Sequence, residues 1–295
     1  MSIQYAGGTI INTTFTQSTG TRAEIVSNLI TQLLAAGWTL VSGSGTDQVL
    51  KCAATATGVT GLQIAVRVYD PGSGNCARVA LRNVSGTRIG QDLYLFPAAS
   101  KTWRIIANKY QFFIFTPGSS APREFAAAGQ LCVPSWLTSV TVNAGWANGN
   151  AISDTDTTAK TSFRTNLAPL QTVQGRTTAL ASDTLLDIGS SNSSLPTPEL
   201  LIPQAGFINA GQQNTNGYRW ADNTLLVGDA LLAMGIASIT DEAKVYGQLW
   251  DAALVNDSFA ADSNISLDGH TWWGITVGNT GTSQYAHGTL FIAVT

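Results

Sequence analysis

The sequence predicts a mainly β protein: an N-terminal α+β domain, with one helix packed on an antiparallel sheet, followed by a β-sandwich-like domain. Three observations carry this expectation. One stretch near the start has helical periodicity, the segment from Gln48 to Phe115 alternates with period two, and from about Gln171 short apolar runs recur between polar segments.

The helix is signed at both ends. Thr21 and Glu24 stand in capping-box spacing ahead of Ile25, Val26, Leu29, Ile30, Leu33 and Leu34, six residues that form one apolar stripe. Gly37 follows where a left-handed C-terminal cap belongs, and Trp38 and Leu40 begin an extended segment. The stripe carries neither charge nor histidine, so it reads as a core face laid across a sheet.

Period two is clearest at Leu62, Ile64, Val66 and Val68, with Val79 and Leu81 on the next segment. The cluster Asp70-Pro71-Gly72-Ser73-Gly74-Asn75 between them is a turn, because Pro fixes one φ and the glycines permit positive φ. A second hairpin is expected at Asn108-Lys109, between Trp103–Ala107 and Tyr110–Phe115, on the ground that Asn tolerates the left-handed conformation. Phe112-Phe113-Ile114-Phe115 is apolar on both faces, so one face should meet the sheet core and the other the helix or a neighbouring subunit.

Pro117, Pro122 and Pro134, then the polar stretch from Asn148 to Thr165, mark a boundary. The expected organisation is an assembly domain at 1–147, a polar linker at 148–175 and a β-rich domain at 176–295. In the last, Lys244 to Leu254 is read as strand because Tyr246 and Gly247 suit a helix interior poorly, and Asp268-Gly269 is a hairpin signal. No repeat of fixed period suggests a solenoid or propeller.

Composition narrows the function. Hydrophobic residues make up 44% and charged residues 11% of the 295 positions, against roughly 25% charged in an ordinary soluble domain. A surface built from Ser, Thr, Asn and Gly offers little charge repulsion and many groups that pair across interfaces, which suits an assembly subunit. The net charge of -3 gives no clustered basic footprint for nucleic acid. No basic-then-apolar leader opens the sequence and no stretch is apolar enough to span a bilayer, so a soluble chain made in the cytoplasm, without a membrane partner, is expected. Cys52, Cys76 and Cys132 are widely spaced and odd in number, which reads as buried small hydrophobes, although Cys52 and Cys76 could meet across neighbouring strands.

Motifs for chemistry are sparse. His270 and His287 form no metal-binding spacing, and the sequence has no nucleophile elbow, phosphate-binding loop or dinucleotide fingerprint. Asp154 and Asp156 sit in a Thr-rich stretch where Asp side chains make local turns; a calcium role there lacks the glycine and distal glutamate of an EF-hand loop. A glycosidase pair drawn from Asp222, Asp229, Asp241, Glu242, Asp251 and Asp257 is open, since sequence cannot set the separation of two carboxylates. Trp272, Trp273 and Tyr285, with Tyr218 and Trp220, are suited either to packing or to stacking on sugar rings. The expectation is therefore a non-enzymatic protein with no catalytic residue, metal or cofactor. Its interface residues are expected at Phe112, Phe113, Phe115, Trp272 and Trp273, where aromatic anchors would supply binding energy.

Several segments resemble virion structural proteins of tailed bacteriophages: Ser2-Ile3-Gln4-Tyr5-Ala6-Gly7-Gly8, Ala35-Ala36-Gly37-Trp38-Thr39 and Arg104 to Phe113 in the first half. Tyr246-Gly247-Gln248-Leu249-Trp250-Asp251 and Gly288-Thr289-Leu290-Phe291-Ile292 in the second half are similar to the same group. The resemblance implies a tail component, of the baseplate or tail tip, present in symmetric copies in the virion and assembled in the host cytoplasm. Its partners would be copies of itself and other virion proteins. A receptor- or carbohydrate-binding module of the tail that touches a host surface glycan, and a capsid decoration protein, are the alternatives.

Overall fold

The computed structural model describes residues 11, 13–54, 63–72, 76–82, 84–86, 88–95, 101–116, 125–130, 145–149, 198–201, 227–234, 245–255, 264–267, 269–277 and 288–294. The protein is mainly β, with one helix packed against antiparallel sheets. In chain order the N-terminal half runs β1 (Thr14–Gly20), α1 (Arg22–Ala35), β2 (Thr39–Ser44), β3 (Asp47–Lys51), β4 (Ala65–Tyr69), β5 (Ala77–Arg82), β6 (Arg88–Leu95), β7 (Lys101–Ala107), β8 (Gln111–Phe115), β9 (Phe125–Gln130) and β10 (Gly145–Gly149). The C-terminal half contributes β11 (Pro198–Leu201), β12 (Val227–Met234), β13 (Val245–Val255), β14 (Asn264–Leu267), β15 (His270–Val277) and β16 (Gly288–Ala293).

Helix α1 forms as its local signals dictate. Glu24 accepts hydrogen bonds from the Thr21 backbone N–H (2.7 Å) and hydroxyl (2.8 Å), which hold its carboxyl below the usual range. At the other end Gly37 takes φ 95°, and the Trp38 and Gly37 amides donate to the Leu33 and Leu34 carbonyls, a Schellman closure. Ile25, Val26, Leu29, Ile30 and Leu33 are buried, but Leu34, expected in the same stripe, is 43% exposed. At 100° per residue it lies at the stripe's edge, past the width that the sheets cover.

Two five-stranded sheets share one core with α1. Strands β2 to β6 lie in sequence order, a meander of antiparallel neighbours, whereas the other sheet runs β1-β7-β8-β9-β10. Leu50, Val66, Val68 and Val79 from the meander meet Trp103, Ile105, Phe112 and Ile114 from the other sheet around the helix stripe. The turn after β4 is as expected, with Asp70 accepting from the Gly72 amide (2.9 Å) and pairing with Arg22 of the helix (2.7 Å). Cys52 and Cys76 are buried and are not bridged to each other, and burial pushes the Cys52 thiol up to about 12.

In the β1-β7-β8-β9-β10 sheet the inner strand β8 and residues 126–130 of β9 are buried on both faces, whereas Phe15 of the edge strand β1 is 37% exposed. In register, Phe15, Ile106, Phe113 and Ala127 form a row on the face away from α1, and Ile106, Phe113, Phe115 and Ala127 are all inaccessible. The C-terminal strands pair antiparallel in one six-stranded sheet, ordered β11-β12-β13-β16-β15-β14. Leu267 and His270 pair across a turn that holds Gly269 at φ 77°, a left-handed conformation suited to a tight hairpin, while Asp268 lies outside the described residues. Residues 150–175 of the expected linker lie outside the described residues, while β10 pairs with β9 through Gly149.

Leu29 sits at the centre of the shared core, so Leu29→Ala is expected to lower stability by about 2–5 kcal/mol in urea unfolding, and Leu34→Ala to change it by less than about 0.5 kcal/mol.

Candidate functional site

The densest polar arrangement among the described residues lies at the turn joining β7 to β8. The Asn108 amide donates to the Gln111 carbonyl (2.9 Å), and its side-chain oxygen accepts from the Tyr110 and Gln111 amides, both at 2.9 Å. Its backbone carbonyl accepts from the Trp38 indole (2.8 Å), and its side-chain NH2 donates to Asp251 Oδ2 (3.1 Å). Asn108 is 1% exposed, so these bonds replace those that water would otherwise make. Sequence reasoning placed a hairpin here correctly but for another reason: Asn108 does not enter the left-handed region, and its side chain closes the turn by capping two amides.

Neighbouring elements converge on the same turn. The Ala53 amide donates to the Lys109 carbonyl (2.8 Å) and the Gln130 amide to the Tyr110 carbonyl (3.0 Å). Gly129 lies so close to the turn that an added Cβ would meet the Gln111 side chain and come within 2.9 Å of the Tyr110 carbonyl, leaving no space for any larger residue.

The C-terminal sheet enters through an irregularity in β13. Leu231 of β12 pairs with Gln248 and Asp229 with Ala253, so five positions on β13 pass against two on its partner. This bulge presents Trp250 and Asp251, the latter at φ 47°, which a non-glycine residue rarely adopts. The Gln111 side chain grips both backbone groups of Trp250, accepting from its amide (3.1 Å) and donating to its carbonyl. The Tyr110 and Trp250 rings pack at 4.2 Å. Asp251 is 1% exposed; Oδ2 accepts from the Ile11 amide (3.0 Å) and from Asn108, and Oδ1 has no hydrogen-bond partner among the described residues. Burial pushes this carboxyl up to about 7, against the opposing pull of Ile11, Asn108 and the positive charge of Lys109.

A second contact lies on the outer face of the β1-β7 pair. Trp273 stacks on Phe15 at 5.1 Å and 8° between planes, and the Arg104 guanidinium lies 4.3 Å from the Trp273 ring. Arg104 is itself steered by Gln17, whose side-chain oxygen accepts from its Nε at 3.1 Å.

The five expected interface residues are thus placed inside this chain or against it. Phe112 packs in the core beneath α1, Phe113 and Phe115 are buried on the opposite face, Trp272 is buried, and half-buried Trp273 rests on Phe15. Phe112, Phe113, Phe115 and Trp272 are therefore inaccessible within the chain, and Trp273 is the one of the five that keeps some exposure. Of the acidic residues considered for catalysis, Asp251 pairs with amides rather than with a second carboxylate. His270 lies at the β14–β15 turn, and no group of three or more His, Cys, Asp or Glu side chains suited to a metal ion occurs among the described residues. Asp154, Asp156, Cys132, Tyr218, Trp220, Asp222, Asp241, Glu242, Asp257, Tyr285 and His287 lie outside them.

No protein-family model matches the chain, and no curated protein is similar to it at a significant level.

Removing the Asn108 side chain strands two buried amides and takes from Asp251 Oδ2 one of its two donors, leaving it the Ile11 amide. Asn108→Ala is therefore expected to cost about 3 kcal/mol or more in urea unfolding.

Proposed function

We propose that this chain is a non-enzymatic structural subunit of a tailed-bacteriophage particle, in the tail baseplate or tail tip, acting through protein–protein packing. The observation that carries the reading is compositional: 11% charged residues beside 44% hydrophobic ones, with a polar complement of hydroxyl and amide side chains. Such a chain resists aggregation poorly as a free monomer and is best accommodated where neighbours cover much of its surface.

The fold is compatible with that use. Two sheets and a helix share one core, and a third sheet is fastened to them by buried hydrogen bonds rather than by exposed charge pairs. A body joined in this way transmits load without depending on salt-sensitive contacts. The resemblance to virion proteins read in the Arg104 to Phe113 and Tyr246 to Asp251 segments points the same way. Both segments contribute to the junction, the first through Asn108 and Tyr110, the second through Trp250 and Asp251.

Gold-labelled antibody against the protein, applied to intact particles and viewed by electron microscopy, is expected to decorate the end of the tail. Label on the head would favour a capsid decoration protein, and particles free of label would overturn a virion role altogether.

A further inference from the structure

Asp251 is a buried carboxyl placed where the C-terminal sheet meets the N-terminal half, on a strained backbone, with one of its two oxygens unbonded among the described residues. A group needed only to accept the Ile11 and Asn108 hydrogen bonds could be an uncharged amide, which would avoid the cost of burying a charge. A carboxyl adds the ability to change charge in place.

We propose that Asp251 is a proton-operated latch: neutral, it holds β13 against the β7–β8 turn and the Ile11 segment, and ionised, it loosens that junction. The protonated form keeps Oδ2 as acceptor for both bonds and carries its hydrogen on Oδ1. Ionisation leaves a full negative charge in a site whose polar partners are one backbone amide and one side-chain amide. The charged side chain that bears on it from the turn is Lys109, whose ammonium lies 4.9 Å from the Tyr110 ring; Ile11 contributes a backbone amide, β8 contributes Gln111, and β13 contributes Trp250, all uncharged.

The direction follows from linkage. The carboxyl's affinity for a proton rises on folding, from an ordinary value of 3.8 to about 7, so between these limits the folded protein holds a proton that the unfolded chain has released. The latch's contribution is therefore full below about pH 4, falls as pH rises through the window, and reaches its lower plateau above about pH 7. The inference does not depend on which assembly contains the chain.

The test is hydrogen exchange by mass spectrometry on the full chain from pH 5.5 to 8.5, reading β13 and the β7–β8 turn relative to α1 at each pH so that the intrinsic pH dependence of exchange cancels. In the wild type the ratio is expected to rise at least tenfold across the range. Asp251→Asn, which reproduces the neutral form, is expected to hold it constant. Lys109→Gln, which removes the charge favouring ionisation, is expected to move the rise to higher pH and keeps the idea testable should the first variant fold poorly. A flat wild-type ratio, a rise that survives in Asp251→Asn, or an unmoved midpoint in Lys109→Gln would each overturn the proposal.

Discussion

The fold depends on a single four-residue turn whose asparagine uses its backbone and both side-chain polar atoms. Asn108 closes the hairpin with its side-chain oxygen, receives the Trp38 indole on its carbonyl and reaches Asp251 with its amide. Its two neighbours in the turn supply carbonyls to Ala53 and Gln130. The segment following α1, the residues just after β3, the adjoining strand β9 and the C-terminal sheet are therefore all positioned from one place. Because the bonds are buried, each broken one would leave a polar group without water to replace its partner, which makes the arrangement specific as well as stabilising.

The second constraint is the two-faced sheet that carries this turn. A strand buried on both sides must be apolar at successive positions, and β8 meets this with Phe112 and Ile114 toward the helix and Phe113 and Phe115 away from it. Alanines at 126, 127 and 128 and Gly129 line the neighbouring strand β9, where large side chains opposite the phenylalanines would overfill the space. The bulky strand β8 is thus paired with a strand of small residues. The outer face gains Trp273 through stacking on Phe15 and the cover of Arg104, so aromatic packing and buried amides fasten the same two parts of the chain by different physics.

What was legible in the sequence was local. The capping box at Thr21 and Glu24, Gly37 past the helix end, the turns at Asp70 and Gly269, and the strand through Val245 to Leu254 all depend on residues a few positions apart, and all appear as read. The two-sided burial of β8 was also visible, because it follows from consecutive apolar residues. The junction was not. Gln111 meets Trp250 across 139 positions and Ile11 meets Asp251 across 240, and no periodicity encodes such pairs. The bulge that turns Trp250 and Asp251 inward has no glycine at its left-handed position, so its usual sign is missing. Likewise the sequence does not show that Trp272 and Phe113 are buried within the chain.

If the turn fastens the C-terminal sheet to the helix and the first two sheets, the chain unfolds as one body. Scanning calorimetry of the full protein at pH 5.5, where Asp251 retains its proton, tests this most directly. The account predicts a single transition whose calorimetric and van't Hoff enthalpies agree. Two separable transitions, or a calorimetric enthalpy well above the van't Hoff value, would contradict it.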